Sequence, residues 1–286
     1  GIFNSPFGNI PFSGQLNHPT FHLKSMGINI QKKPNLINLF FFKLLIKTKN
    51  LKRIFTIDPL LKKYLNKKKD ENFDKVKILP VTANLNVNLH KNMKFIQSDI
   101  KKVFNKKAYF ILAYGAISES KNIIKLISCV KRLKDKNIKV IIGGKVDGKF
   151  KDKLKKAINY QKKLARKIIL FDKYLNEEET TILFKKSNLV WLCYKKEHFT
   201  SSSVLIKSGM IKKKIIACNH GLVKFFNQKY KLGPSVNPDN DVSITNTIQR
   251  MYNKKNKYKV NSNLFIKNNN PSLIGKLVYD DTLNYL

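Results

Sequence analysis

Residues 109–122 read YFILAYGAISESKN, six apolar side chains in a row followed by glycine and a short polar segment. A continuous apolar run of this length predicts a strand that is buried on both faces. Apolar residues then recur at helical spacing over 118–134, and a second apolar run, 138–142, ends in Gly143 and Gly144. Strand, helix and strand in this order predict parallel pairing, with the helix packed on the sheet.

The same alternation continues towards the C-terminus. Further strands are predicted at 167–171, 189–194 and 214–218, and further helices at 150–166, after Asn176 and at 201–210. Asn176 is a favourable N-cap, and the three glutamates that follow it suit the positive end of a helix dipole. The sequence therefore predicts an α/β fold, a doubly wound parallel sheet that binds ligands at the carboxyl ends of its strands.

The N-terminal third is less regular, and residues 1–34 are rich in proline and glycine. The elements predicted after them are a buried helix at 35–47, a strand at 53–57, a helix at 60–69 and a strand at 76–79. These elements make up about half of a doubly wound domain. We therefore predict an incomplete N-terminal domain at 1–104 and a whole domain at 105–286. Because the sequence starts at Gly1 without a signal peptide, we expect a fragment of a longer protein.

The composition excludes several classes of protein. With 42% hydrophobic residues the chain can bury a core, which a disordered chain cannot. Cys129, Cys193 and Cys218 are few, widely spaced and set in apolar runs, so we expect buried thiols in a reducing compartment and no disulfide scaffold. The most apolar stretch, 37–46, has about half of the roughly 20 residues that a membrane span needs.

The formal net charge of +39 suggests a nucleic-acid partner, but its distribution favours a general basic surface. Only 4 of the 57 basic residues are arginine, the residue that binds bases and phosphates in a bidentate manner. The charge is also spread evenly, with +15 over residues 1–106 and +24 over 107–286. We therefore expect no specific nucleic-acid binding, and a general attraction to anionic membranes and substrates.

The segment HFTSSSVL (198–205) follows a predicted strand and opens a predicted helix. The unpaired N–H groups and partial positive charge of a helix start attract phosphate, and serine hydroxyls add donors there. Serine is also an ordinary N-cap. This segment alone therefore leaves phosphate binding and simple capping both open.

Two other predicted strand ends carry groups that suit an anion. Gly115 lets a ligand approach the backbone, and Lys121 stands at the next predicted helix start, where it can reach a diphosphate. Gly143, Gly144 and Lys145 end another strand. The three strand ends together are more specific than any one of them.

Other combinations of residues argue against a metal site and against a hydrolase active site. His18 and His22 lie on either side of Pro19 with no Cys or acidic residue near in sequence, which argues against zinc. Asp239 and Asp241 precede a predicted helix, where capping is favoured over metal binding. The serines after His198 lack the Gly-x-Ser-x-Gly turn of a hydrolase.

In order and spacing, six segments resemble the C-terminal domain of retaining, nucleotide-sugar-dependent glycosyltransferases of the GT-B fold (group 1, family 4-like). They are YFILAYGAISESKN, IKVIIGG, IILFDKYLNEEETTILFKKSNLVWLCY, HFTSSSVL, KKIIACNHGLV and KLGPSVNPDN. The resemblance covers residues 105–260. It extends faintly to RIFTIDPLLKKYL (53–65) and KILPV (77–81), which look like the end of the N-terminal domain.

The resemblance implies that the second domain binds a nucleotide diphosphate-sugar donor facing an acceptor on the first. Carried over by position, Lys121 is the basic contact to the diphosphate and the candidate catalytic residue. The other candidates share the donor site; they are Gly115, Ala116, Lys173, Tyr174, His198, Ser201, Ser202, Ser203 and Val204.

Several of these positions have an implied role. Gly115 lets the diphosphate approach, the N–H groups of Ser202, Ser203 and Val204 bind phosphate oxygens, and residues 173–174 border the base. The implied reaction moves a sugar, a hexose or a related one, to a glycan or lipid-linked acceptor. Cations and a helix terminus stabilise the leaving diphosphate, so we expect neither a metal nor a cofactor. We also expect a cytoplasmic protein with peripheral contact at the inner membrane face.

The sequence departs from the family pattern at several positions. Where relatives carry two glutamates eight positions apart it has Phe199 and Lys207, and Glu197 falls two residues early. Lysines at 212–214 replace Gly-Lys-Pro, and Ala116 replaces an arginine. The donor therefore stays open. So does the alternative of a catalytically inactive glycosyltransferase-like domain that binds anionic membrane or nucleic acid.

Overall fold

A computed structural model of the chain describes residues 7–28, 36–83, 99–104, 108–133, 135, 137–159, 166–253 and 262–283. Within these residues the strands form two parallel sheets, one of three strands and one of six. The predicted domain boundary between residues 104 and 105 adjoins 105–107, which lie outside the described residues. The division into 1–104 and 105–286 stays a prediction.

The first sheet has the strand order β1-β2-β3. Its elements and the helices between them are β1 (Phe12–Gln15), α1 (Leu36–Ile46), β2 (Leu51–Thr56), α2 (Pro59–Asn66) and β3 (Val76–Ile78). One apolar cluster, including Ile46 of α1, Leu61 of α2 and Ile54 of β2, packs both helices against the sheet.

The second sheet has the order β6-β5-β4-β7-β8-β9. Its strands are β4 (Tyr109–Tyr114), β5 (Ile138–Gly143), β6 (Ile168–Phe171), β7 (Leu189–Leu192), β8 (Ile215–Cys218) and β9 (Ser235–Val236). The helices are α3 (Asp99–Val103), α4 (Ile123–Arg132), α5 (Gly148–Asn159), α6 (Glu177–Lys186), α7 (Ser203–Met210), α8 (Gly221–Tyr230), α9 (Asp241–Asn253), α10 (Ser262–Asn268) and α11 (Pro271–Leu283).

Helices cover both faces of this sheet. Helices α4, α5 and α9 bury side chains such as Leu126, Phe150 and Ile248 on one face. Helices α6, α7, α8 and α10 bury Phe184, Leu205, Phe226 and Phe265 on the other. Asn176 and Glu179 form a reciprocal capping box at the start of α6. The predicted doubly wound α/β fold is confirmed.

The three cysteines lie inside this core. Cys129, Cys193 and Cys218 are free and buried. Burial raises the pKa of each thiol, that of Cys218 to about 11. The predicted buried position of the thiols is confirmed.

The structure corrects the prediction of a buried helix at 35–47. Helix α1 forms there, but it buries only Phe42 and Ile46 fully. A sequence that is apolar around the whole helix does not indicate which half the sheet covers. No helix in the described part of the chain is both long and apolar enough to span a membrane.

The predicted helix at 118–134 is divided in two. A short 3₁₀ turn, Glu119–Lys121, precedes α4, and Asn122 separates them with a left-handed φ of 57°. The Asn122 amide donates to the carbonyls of Cys193 at 3.3 Å and Pro238 at 3.2 Å, which holds this conformation. Lys121 therefore lies just before α4 and not in its first turn.

The last helix contacts the first sheet. Nε of Arg53 in β2 lies 2.8 Å from a carboxylate oxygen of Asp281 in α11. Nearby, a cavity of about 410 Å³ is lined mainly by apolar side chains, among them Ile78, Phe226 and Leu273. None of the donor-site residues predicted from the sequence lines this cavity.

The backbone conformation of Lys212, between α7 and β8, can be tested by substitution. Its φ of 57° is left-handed, a conformation that costs a residue with a Cβ about 1–2 kcal/mol. Glycine adopts it freely, although it loses more entropy on folding. We expect Lys212→Gly to raise the free energy of unfolding by about 0.5–1 kcal/mol, measured by urea denaturation at pH 7.

Lys155→Gly in exposed α5 is the matched control and should lower the same free energy by about 1 kcal/mol. A loss of stability in Lys212→Gly similar to that of the control would contradict the assigned backbone conformation.

Candidate functional site

Candidate residues from distant parts of the sequence meet at the carboxyl ends of β4 and β7. These two strands are neighbours in the middle of the second sheet. The chain continues from β4 through Gly115 to Lys121, and from β7 through Tyr194 to His198. Because the strands are parallel, both loops leave the sheet at the same edge.

Tyr194 is at the centre of this group. Its ring centroid lies 4.1 Å from Lys121 Nζ and 4.5 Å from the centroid of the His198 ring. Its hydroxyl lies 3.3 Å from the Ser202 hydroxyl. Lys121, Tyr194, His198 and Ser202 are called the Tyr194 cluster below. The sequence analysis treated Tyr194 only as the last residue of a strand, because an aromatic residue there is typical of the core.

Hydrogen bonds from β7 and from the loop after it to two carbonyls of the 119–121 turn position Lys121. The Trp191 indole N–H donates to the carbonyl of Lys121 at 2.9 Å, and the N–H of Lys195 donates to the carbonyl of Ser120 at 2.9 Å. Together with the Asn122 amide, these bonds hold the 3₁₀ turn against the end of β7. The Lys121 ammonium is thereby held over the Tyr194 ring as a cation–π pair.

Lys121 differs from the neighbouring lysines in its ion pairing. Lys153 and Lys195 both pair with Glu119, at 2.7 and 2.9 Å, and their hydrogen bonds lower the Glu119 pKa to about 2. Within the described residues no carboxylate pairs with Lys121. Its positive charge can therefore act on an anionic ligand.

The start of α7 faces the same cluster. Ser202 is the N-cap, but its hydroxyl makes no capping bond and lies next to Tyr194. The N–H of Ile206 donates to the Ser202 carbonyl, so the N–H groups of residues 202–205 precede the first helical bond. The predicted start at 201 is two residues early, and Ser203 is the first, exposed residue of the helix. The positive end of the α7 dipole therefore lies beside Tyr194, the residue whose ring also contacts Lys121.

Gly115 brings the β4 loop close to α7. Its φ of 106° requires glycine, and a Cβ at this position would lie 3.7 Å from Cγ2 of Val204. Gly144 has a packing role at the same strand end, and the predicted anion contact of residues 143–145 stays a prediction. A Cβ on Gly144 would lie 1.9 Å from the Gly115 carbonyl oxygen, so this glycine is needed where the two strand ends pack together.

His198 is neutral in this site. Burial lowers its pKa to about 4, and the charges of Lys121, His220 and His18 lower it further. Its Nε2 is buried and has no hydrogen-bond partner among the described residues, so it leaves a polar atom that a ligand can satisfy. The effect of His18, which is in the loop after β1, shows that this loop of the first sheet lies within electrostatic range of the cluster.

Other predicted residues lie along the same edge outside the cluster. Lys173 and Tyr174 follow β6, two strands away from β4. Lys173 Nζ lies 2.6 Å from a Glu179 carboxylate oxygen, and Tyr174 is 86% exposed. Ala116 is exposed after β4, and Ser201 is half-buried before α7. No described contact joins Lys173 or Tyr174 to the Tyr194 cluster.

The two positions at which the resemblance implies glutamate, 199 and 207, supply no carboxylate. Phe199 packs against the apolar cluster under α7, and its carbonyl accepts the N–H of Leu222 at 2.9 Å. Lys207 Nζ lies 5.3 Å from the ring centroid of Tyr114. Glu197 is exposed. The site is therefore dominated by positive and neutral groups.

The two histidines near the N-terminus have separate environments. His22 is buried with its Nε2 2.8 Å from the carboxylate of Asp58, which also caps α2. His18 is exposed. Asp58 lies far from His22 in the sequence, so spacing alone could not reveal this pair.

The segment Asp239–Asp241 caps α9 through its middle residue. The Asn240 side chain accepts the N–H of Ser243 at 2.9 Å. Asp239 pairs with Lys196, and Asp241 pairs with Lys125 and Arg132. The prediction that the segment 239–241 caps this helix is confirmed, with Asn240 as the capping residue, while lysine and arginine side chains hold both carboxylates. Among the described residues, no group of three His, Cys, Asp or Glu could hold a metal ion.

The lowered pKa of His198 predicts a change of stability with pH. Its pKa is about 4 in the folded chain against 6.5 in an unfolded one, so the unfolded state binds more protons between these values. The contribution is therefore present above pH 6.5 and is lost as the pH falls towards 4. We expect a loss of about 3 kcal/mol in the free energy of unfolding from this group.

His198→Asn should flatten the fall in stability over this range, measured by urea denaturation at several pH values. Part of the slope should remain, because burial also lowers the pKa of His220. A slope as steep as that of the unmodified chain would show that His198 is not a buried neutral group.

Comparison with known proteins places this chain in a family. The chain matches the family model described as Glycosyl transferases group 1 over residues 95–264. A search of curated protein sequences gives no match.

Similar solved structures share the fold of both sheets. HepE from Anabaena, in complex with UDP, superimposes with a TM-score of 0.70 at 14% identity, over 96% of this chain and 72% of that one. Sucrose-phosphate synthase from Thermosynechococcus elongatus gives 0.71 at 14% identity, over 96% and 68%. A glycosyltransferase from Rickettsia africae gives 0.68 at 18% identity, over 90% and 69%. At these identities the likeness shows the fold, which is GT-B.

The family model matches more than half of the chain, and the two parallel sheets match the GT-B fold of the similar structures. The chain therefore belongs to the group 1 glycosyltransferases.

Proposed function

We propose that this chain transfers a sugar from a nucleotide diphosphate donor whose diphosphate binds between Lys121 and the start of α7. The observation that carries the proposal is the combination of a lysine without a described ion pair and an N-cap serine whose hydroxyl does not cap its helix. Both lie at the carboxyl edge of one parallel sheet, where such folds bind ligands. A diphosphate supplies the negative charge that this place lacks.

The same groups account for catalysis. When the bond between the anomeric carbon and the diphosphate oxygen breaks, negative charge grows on the diphosphate. Lys121 and the α7 N–H groups are already held in place, so they stabilise this charge without further reorganisation. The acceptor hydroxyl oxygen forms the new bond to the anomeric carbon, and its proton passes to an oxygen of the leaving diphosphate. This route requires no metal.

His198 and residues 173–174 have secondary roles in this proposal. The neutral His198 ring, with an unpartnered Nε2, offers a hydrogen bond to a hydroxyl of the donor sugar. Tyr174, exposed beyond β6, borders the base together with Lys173. Ala116, Ser201 and Ser203 belong to the same proposed donor site, because they lie in the loops after β4 and β7 and at the start of α7.

The choice of donor and acceptor follows from the similar structures and the surface charge. HepE was crystallised with UDP and with UDP-glucose, so UDP is the first nucleotide to test. We propose a glycan or lipid-linked acceptor held on the side of the first sheet, whose loop after β1 lies near His198. A cytoplasmic location with contact at the inner membrane face is part of the same proposal.

A comparison of UDP with uridine tests the role of Lys121. At 100 times its dissociation constant, UDP should stabilise the folded chain by about 2.7 kcal/mol, seen as a raised melting temperature. Lys121→Ala should weaken UDP about 10- to 100-fold, because it removes a charged contact to the diphosphate. Uridine has no phosphate, so its affinity should not change.

Lys68→Ala is the matched control, since Lys68 Nζ also lies over a tyrosine ring, 5.6 Å from that of Tyr64, in the first sheet. It should leave both affinities unchanged. If Lys121→Ala binds UDP as tightly as the control, the diphosphate site is elsewhere. If GDP stabilises the chain and UDP does not, the site is retained and the base is guanine.

The alternative of an inactive binding domain rests on Phe199 and Lys207, which leave the two family positions without a carboxylate. A turnover measurement distinguishes this alternative from an active enzyme. An active enzyme releases UDP from UDP-glucose, slowly to water or faster with an acceptor, and Lys121→Ala lowers that rate. Tight UDP binding without release from any UDP-sugar tested would favour the inactive alternative.

A further inference from the structure

Helix α7 carries a second lysine, Lys207, close to the carboxyl edge of the second sheet. Its Nζ lies 5.3 Å from the ring centroid of Tyr114, the last residue of β4, and the side chain is half-buried. Among the described residues no carboxylate lies within ion-pair distance of it. The aromatic ring attracts the ammonium but does not neutralise it. Lys207 therefore keeps a positive charge that an anionic ligand can use.

The lysines in the loops after β5, β6 and β7 differ from Lys207, because each has a carboxylate partner. The pairs are Lys145 with Asp172, Lys173 with Glu179, Lys195 with Glu119 and Lys196 with Asp239. Within the described residues, Lys121 and Lys207 are thus the lysines at the ends of β4 and β7 whose charge no carboxylate offsets.

Helix geometry brings the Lys207 ammonium towards the start of α7. Gly115 directly follows Tyr114, and a Cβ on Gly115 would lie 3.7 Å from Cγ2 of Val204. Val204 and Lys207 are three residues apart, so they lie on one side of the helix, and long side chains lean towards its N-terminus. The Tyr114 hydroxyl lies 2.8 Å from that of Thr180 in α6. Lys207 therefore lies on the side of Gly115 that faces α6.

The two lysines occupy different places along the carboxyl edge. Lys121 lies over Tyr194, after β7, and Lys207 lies over the end of β4 on the side of α6. Lys173 and Tyr174, which border the base in the proposed function, lie just before α6. A donor that extends from these residues to Lys121 passes Lys207 on the way. Its α-phosphate, the one bonded to the nucleoside, is then the phosphate nearest to Lys207.

We propose that Lys207 binds the α-phosphate of the donor, while Lys121 binds the β-phosphate that carries the sugar. An ammonium donates hydrogen bonds and accepts none, and its bonds to an anion are stronger than those to a neutral hydroxyl. The glutamate that the resemblance implies at position 207 would instead accept hydrogen bonds and repel a phosphate. The lysine therefore makes this position selective for the charge of the nucleotide. This inference rests on the proposed donor site.

Binding of uridine, UMP and UDP, measured by isothermal titration calorimetry on the whole chain, tests the assignment of each lysine. Lys207→Met removes the charge and keeps an apolar side chain over Tyr114. It should weaken UMP and UDP about tenfold each and leave uridine unchanged, because a charged contact to the α-phosphate is lost. Lys121→Ala should weaken UDP in the same way but UMP by no more than about threefold. If the base is guanine, guanosine, GMP and GDP replace the three ligands.

Two further variants serve as controls. Lys229 is exposed on α8, with its Nζ 5.2 Å from the ring centroid of Tyr230, so Lys229→Met removes a similar cation–π pair away from the site. It should change none of the three affinities by more than about twofold. Lys207→Arg keeps the charge on a different head group and should weaken UMP by no more than about threefold.

The three ligands separate a phosphate contact from a structural role. Equal weakening of uridine, UMP and UDP by Lys207→Met would overturn the inference, since uridine carries no charge. Weakening of UDP alone would also overturn it, because Lys207 would then contact the β-phosphate. UDP binding that depends on Lys121 but not on Lys207 would retain the donor site and reject the inference alone. If neither UDP nor GDP binds the unmodified chain, the donor site and the inference are both wrong.

Discussion

The pairing of β4 with β7 determines where the chemistry of this chain can occur. Ile111 pairs with Leu189 and Leu112 with Val190, so two strands far apart in the sequence end side by side. The loops that follow are then joined by three hydrogen bonds, from Trp191 to Lys121, from Lys195 to Ser120 and from Asn122 to Cys193. Without this register, Lys121 would not reach Tyr194.

The positive charge of the chain can act on a ligand only where a lysine is not already paired with a carboxylate. Glu119, Asp172, Glu179 and Asp241 each bind one or two lysine or arginine side chains, in ion pairs of small individual worth. Lys121 has an aromatic ring as its described partner. Its surroundings differ from a uniformly basic surface because the charge there meets another kind of group.

Much of the second sheet could be predicted from the sequence. Strands buried on both faces are continuous apolar runs, so β4 was predicted to the residue and β5 to within one. The start of α6 was also predictable, because Asn176 is a favourable N-cap and the glutamates after it suit the positive end of the helix dipole. Lys121, His198 and Ser202 were found by their position after strands, and the structure brings these three together.

The features that could not be predicted from the sequence depend on contacts between residues that are distant in the chain. Tyr194 belongs to the site because its ring meets Lys121, yet its own neighbourhood in the sequence is that of a core strand. The break at Asn122 depends on carbonyls of Cys193 and Pro238, and the exposure of α1 depends on which side the first sheet covers. Local patterns indicate that a residue is apolar or favours a turn, but they do not indicate its partner.

The buried thiols have a practical consequence. Cys129, Cys193 and Cys218 are covered by the core and stay protonated at neutral pH, since burial raises the pKa of all three. Alkylating reagents attack the thiolate, so the folded chain offers them almost no native target. A single cysteine introduced on the surface can then carry a fluorophore or spin label alone, and the natural cysteines need not be removed first.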